Sequence, residues 1–147
     1  MRRGRVSVWV AVVLLLAAGC SGSGASEAVN VVLGDFVVEP DADSVGAGEV
    51  TFAVDNQGGE THEFVVVEAA SAEELPVDEN GAFDEEAFGA DNVLGEIEDV
   101  ESGEQGELTL DLEPGTYVLL CNVTEEEEGG ELESHFAEGM HATLNVE

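Results

Sequence analysis

Cys121 is the residue whose chemistry most needs an explanation. The chain has 2 cysteines. The other, Cys20, ends an apolar leader, so after the leader Cys121 has no partner for an intrachain disulfide. A lone thiol in an exported chain is a metal ligand, a reactive group or a buried small hydrophobe. The other scarce donors narrow the choice. The 3 histidines are His62, His135 and His141, and Met140 is the one methionine besides the initiator. One thiolate, two imidazoles and one thioether make a soft donor set that favours copper. A trigonal His₂Cys site with a weak axial Met is the type 1 arrangement, whereas zinc has no need of the thioether. His141 stays outside that set, because on the final strand it points away from the donors.

These donors sit where strands end. His62 opens the apolar run 63–67, which reads as a strand buried on both faces. Cys121 closes the strand 117–120. His135 and Met140 lie in the following loop, and Met140 directly precedes the last strand, 142–146. Further strands are expected over 29–38, with a bend at Gly34-Asp35, over 49–55 and over 107–112. In 49–55, Val50, Phe52 and Val54 alternate with Thr51, Ala53 and Asp55. Short alternating strands without a βαβ rhythm predict an all-β sandwich or barrel. Residues 69–105 are acidic and poor in apolar side chains. They read as an insertion across one end of the domain, with a short helix around Phe83, Ala87 and Phe88.

The chain resembles the cupredoxins, the plastocyanin/azurin family of small copper proteins. The resemblance lies in Gly48-Glu49-Val50-Thr51-Phe52 leading to His62-Glu63-Phe64-Val65-Val66, in Pro114 to Asn122, and in His135-Phe136-Ala137-Glu138-Gly139-Met140. It covers about 29–68 and 106–147 and skips the insertion. It implies a Greek-key β-sandwich with one type 1 copper, with His62, Cys121 and His135 as equatorial ligands and Met140 as the axial one. The five-residue step from His135 to Met140 fits the family. The 14 positions between Cys121 and His135 exceed the family's usual short loop. Three outcomes follow from that length: the loop folds back and delivers His135, the site stays open, or a loop glutamate takes the metal.

Charge and leader set the context. All 34 acidic residues follow Cys20 and all 3 Lys/Arg residues lie in the first five positions. With no cation left to neutralise phosphate, nucleic-acid binding is excluded. An acid excess this general reads as a solvated surface suited to high salt. Arg2, Arg3 and Arg5, the apolar run 6–18 and the ending Ala18-Gly19-Cys20 resemble a lipoprotein signal. The expected organisation is therefore a signal peptide over 1–19, a lipidated Cys20 with a Gly/Ser linker over 20–28, and one domain over 29–147. The expected function is an exported, membrane-anchored electron carrier. On this reading it is a monomer, not an enzyme, and it exchanges electrons with a redox partner protein at the outer face of the cell membrane. Copper delivery, or a metal-free binding module, are the competing functions.

Overall fold

The computed structural model describes residues 26–126 and 129–147. The expected signal peptide and the lipidated Cys20 lie outside the described residues, as do Glu127 and Glu128. The strands are β1 (Glu27–Gly34), β2 (Val37–Pro40), β3 (Ser44–Val45), β4 (Gly48–Asn56), β5 (His62–Glu68), β6 (Val93–Val100), β7 (Gln105–Leu112), β8 (Gly115–Leu120), β9 (Thr124–Glu126), β10 (Leu132–Ser134) and β11 (His141–Val146). They form a four-stranded sheet ordered β2-β1-β4-β7 and a five-stranded sheet ordered β3-β11-β8-β5-β6, with β9 and β10 as a separate hairpin. β1 runs parallel to β4 and β3 parallel to β11, while the other pairings are antiparallel. This is the expected Greek-key sandwich.

The alternation read from the sequence is what closes the two layers. Val29, Val31 and Leu33 of β1 and Val50, Phe52 and Val54 of β4 face Phe64 and Val66 of β5 and Tyr117 and Leu119 of β8. All are buried, as period-two strands with one apolar face require. β5 is apolar on both faces for a second reason: Val65 and Val67, with Val118 and Leu120 of β8, point out of the sandwich and need a cover of their own.

Part of the segment expected as an insertion supplies that cover. Ala72, Leu75 and Phe83 pack on the outer face of the five-stranded sheet and build a second apolar cluster with Phe136. The segment 69–105 contains one turn of α-helix, α1 (Glu85–Phe88), capped by the Asp84 carboxylate accepting from the Ala87 amide, and 3-10 turns at Ala72–Glu74 and Ala90–Asn92. Its last part is not insertion at all, because β6 belongs to the sheet and pairs with β5. β6 escapes a pattern search because Gly95 occupies an inward position, while exposed Leu94 and the acids Glu96, Glu98 and Asp99 take the outward ones. β1 likewise starts at Glu27, inside the stretch expected as linker, where the Glu27 carboxylate accepts from the Gly46 amide at 2.8 Å.

Candidate metal centre

His62 and Cys121 are delivered by neighbouring strands. β5 and β8 pair with Val65 opposite Leu120, which brings the Glu63 amide to donate to Cys121 Sγ at 3.3 Å. Ahead of β5, the buried Asn56 side chain shapes the loop 57–61. Its amide donates to the carbonyls of Glu60 and Val100, both at 2.8 Å, and its oxygen accepts from the Gly58 amide. Gly58 cannot carry a side chain, since a Cβ there would lie 2.5 Å from Asp35 Oδ1 and 2.7 Å from His62 Nε2.

His135 is delivered by a different device. The long connection after Cys121 is taken up by the β9–β10 hairpin, whose register pairs Ser134 with Thr124. The hairpin returns the chain to its starting point, and the His135 amide donates to the Val123 carbonyl at 3.0 Å. A tight turn follows. Met140 donates to the His135 carbonyl, Cys121 donates to the Met140 carbonyl, and Gly139 supplies the positive φ of 97° that the turn needs. The long loop thus folds back and brings His135 beside Cys121, while Glu125 of the same loop forms a second group with Glu60 and His135.

The result is a closed triangle of donors. His62 Nδ1 and His135 Nδ1 are 3.2 Å apart, and Cys121 Sγ is 4.0 Å from the first and 3.6 Å from the second. A circle through those three atoms has a radius of about 2.1 Å, which falls within the ~2.0–2.3 Å span of nitrogen and thiolate bonds to a first-row metal. Among the described residues the three form a metal-competent group, and each is fully buried. Met140 is also fully buried and packs in the same apolar cluster as Cys121. No carboxylate belongs to the Cys-His-His group. His141 stays apart, against the Phe136 ring at 5.4 Å.

Electrostatics prepare neutral donors. Burial, and then the neighbouring His135, hold His62 below the ordinary imidazole range, so it presents a lone pair at neutral pH. Burial pushes the Cys121 thiol up to about 11. The thiol therefore keeps its proton until a cation at the centre of the triangle replaces it.

Four residues take part at the site in ways that the sequence did not reveal. Asp35 lies 3.6 Å from His62 Nε2 and Glu60 lies 3.5 Å from His135 Nε2. Phe36 meets the His135 ring edge-on at 5.4 Å, and it does so from a left-handed backbone with φ of 60°, a strained state for an aromatic residue. Asn122 hydrogen-bonds both backbone groups of Phe83 and ties the outer cover to the residue next to Cys121. The Gly34-Asp35 bend was legible in the sequence; that it lays Asp35 and Phe36 over the two histidines was not.

A buried Cys-His-His triangle with a methionine beside it, at one pole of a Greek-key sandwich, defines a cupredoxin-type metal centre. The chain belongs to the cupredoxin-like domain family, which it matches over residues 7–132. That match ends before His135 and Met140, so their place in the centre rests on the geometry above. Solved structures give the same fold. Dithionite-reduced auracyanin from the photosynthetic bacterium Roseiflexus castenholzii is 23% identical, covering 84% of this chain and 99% of that one, with a TM-score of 0.60. Auracyanin A, a "blue" copper protein from the green thermophilic photosynthetic bacterium Chloroflexus aurantiacus, is 22% identical, covering 82% and 99%, with a TM-score of 0.50. Rusticyanin from Thiobacillus ferrooxidans is 15% identical, covering 84% and 79%, with a TM-score of 0.53. No curated protein matches the chain in sequence.

Proposed function

We propose that this protein is a blue-copper electron carrier, exported and held at the outer face of the membrane by a lipid on Cys20. The observation that carries the reading is the buried triangle of Cys121 Sγ, His62 Nδ1 and His135 Nδ1, with a size that suits one first-row metal ion. These three would hold copper, with the Met140 thioether as a weak fourth donor. Bound copper supplies a one-electron Cu(II)/Cu(I) couple. The likeness to auracyanin A, a blue copper protein, supports the same choice of metal.

What the chain contributes is rigidity and dryness. Cys121 would release its thiol proton to solvent when copper binds and would hold the ion as a thiolate, so the one-electron couple would need no proton at that sulfur. Strands β5 and β8 fix two donors and the hairpin with its following turn fixes the rest. The donors therefore keep one geometry through the cycle, and little rearrangement opposes the electron's passage. Full burial of His62, Cys121 and His135 favours a resident ion over one handed on, and so favours a carrier over a delivery protein. The proposed role uses one mononuclear centre, the Cys-His-His group found among the described residues, and one such centre suffices for a single-electron carrier. The carrier acts as a monomer with a separate redox partner.

Titration of the metal-free protein with Cu(II) tests this. An intense thiolate-to-copper absorption that saturates at one equivalent and bleaches on reduction is expected. Binding without that band would favour delivery, and no binding would favour a metal-free module. For the anchor, mass spectrometry of the native protein is expected to find a lipid on Cys20; an unmodified, freely soluble form would remove that part of the proposal. The salt-adapted surface makes its own prediction. With acids throughout and no Lys or Arg after the leader, self-repulsion is screened over ~3 Å at 1 M salt against ~30 Å at 0.01 M. Tm is expected to rise markedly in multimolar salt, and equal values would contradict the idea.

A further inference from the structure

Both histidines turn one ring nitrogen inward, and the fate of the other is unusual. His62 Nε2 and His135 Nε2 are buried without a hydrogen-bond partner, and so is Glu60 Oε2. Buried polar atoms left unpaired are costly and need an explanation. Here each faces a carboxylate. His62 Nε2 stands 3.6 Å from Asp35 Oδ1, and His135 Nε2 stands 3.5 Å from Glu60 Oε2. With Nδ1 of each ring turned to the centre, the proton belongs on Nε2 and points at that carboxylate. A shift of about half an ångström would make each pair a charge-assisted hydrogen bond.

The surroundings are built to keep these carboxylates in place. Asp35 Oδ1 accepts from the Gly59 amide at 2.8 Å, and Gly58 leaves the space in which Asp35 meets the His62 ring. Glu60 is set by the loop that Asn56 organises through the Glu60 carbonyl. Glu125, on the hairpin strand β9, completes a group with Glu60 and His135. Phe36 lies over the same ring and limits its contact with water.

We propose that Asp35 and Glu60 are positioning residues for the two histidine ligands, one on each outer nitrogen, and that their charges hold the copper couple toward its oxidised form. The inference rests on the carrier reading. A carboxylate on the outer nitrogen fixes the ring and makes the inner nitrogen a stronger donor. It also places negative charge beside the ring: Glu60 Oε2 is itself buried, whereas the Asp35 side chain is 52% exposed and its charge is screened more by water. Both effects favour Cu(II), which carries one more positive charge than Cu(I). Glu125 lies within 4.8 Å of a His135 ring nitrogen without the close pairing that Glu60 makes, and contributes less.

The test is voltammetry on copper-loaded wild type, Asp35→Asn, Glu60→Gln, Glu125→Gln and a distant control, Glu107→Gln on β7, all in high salt so that surface charge is screened. The wild-type blue band reports separately on the carrier reading; its absence would remove that reading before any variant is compared. Given the band, Asp35→Asn and Glu60→Gln are each expected to stay blue. Each should shift the Cu(II)/Cu(I) balance about tenfold toward reduction, a rise of ~59 mV for a one-electron couple. Glu125→Gln should shift it less and Glu107→Gln not at all. Potentials equal to wild type, or a control that moves as far, would overturn the proposal. Two further results would also overturn it by making the carboxylates ligands: bleaching of both variants, or a second metal equivalent that Glu60→Gln removes.

Discussion

His62 and Cys121 reach the centre on paired strands, while His135 and Met140 reach it through a hairpin and a turn. The first pair is held by the β5–β8 ladder, part of the core that also buries Phe64, Val66 and Leu119. The second pair depends on a few backbone bonds: His135 to Val123, Met140 to His135 and Cys121 to Met140. The contrast teaches that half of this site is a by-product of folding the sandwich. The other half is a local device that must close on it. Substitutions in the two halves are therefore expected to fail differently.

Breaking the strand-borne half gives the largest effect. Cys121→Ser replaces the thiolate with a harder, far less acidic hydroxyl, and the blue absorption is expected to vanish completely. The sandwich should still fold, because its packing rests on the alternating Val, Leu and Phe positions. Circular dichroism and a copper titration read the two outcomes, and retained colour would refute the assignment.

In the loop-borne half the two ligands separate. On the proposed reading His135→Ala would remove an imidazole donor, and copper affinity is expected to fall by about a hundredfold or more, with the band faded or shifted. Met140→Leu nearly conserves volume and would remove only the thioether, the weaker donor of the proposed set. Copper should stay bound, with a raised potential. Equal losses in both variants would erase the proposed distinction between a strong imidazole donor and a weak thioether donor.

Asn56→Ala sharpens the comparison from outside the ligand set. It strips the carbonyls of Glu60 and Val100 of a buried partner, at a cost of about 2 kcal/mol. Urea melts are expected to show that loss. The loop carrying Glu60 should loosen while the β5–β8 ladder persists, so hydrogen exchange should rise over 57–61 and not over 64–67.

The smallest effect concerns pH. Glu63, next to His62, is pushed up to about 7 from 4.5 by burial first, and then by Glu85, Glu96, Glu98 and Asp99. A carboxyl with a raised folded-state pKa stabilises the fold below its unfolded pKa and loses that contribution as pH rises through the folded one. Stability is therefore expected to decline between about pH 4.5 and 7. Glu63→Gln should remove that decline and gain roughly 1 kcal/mol above pH 7, a figure discounted for the partial exposure of the group. Melts of both proteins at pH 5 and pH 8 check the sign.

How much of this was legible in the sequence follows the same division. β4, β5, β8 and β11 could be read because period-two alternation survives wherever one or both faces are buried. The four donors could be read because each is a scarce residue type at a strand end. β6 was hidden by Gly95 and its acids. The outer cover was hidden because Ala72, Leu75 and Phe83 come from irregular chain with no period to detect. Asp35 and Glu60 were invisible for a plainer reason: among 34 acidic residues, nothing local distinguishes the two that face a histidine. The hairpin that solves the long loop is built from Thr124–Glu126 and Leu132–Ser134, strands too short and too acidic to announce themselves.

X-ray absorption at the copper edge of the loaded protein tests most directly whether the two halves close on one ion. The account predicts one short sulfur and two imidazole nitrogens around each copper. A carboxylate oxygen in place of one nitrogen, or a shell without sulfur, would contradict it.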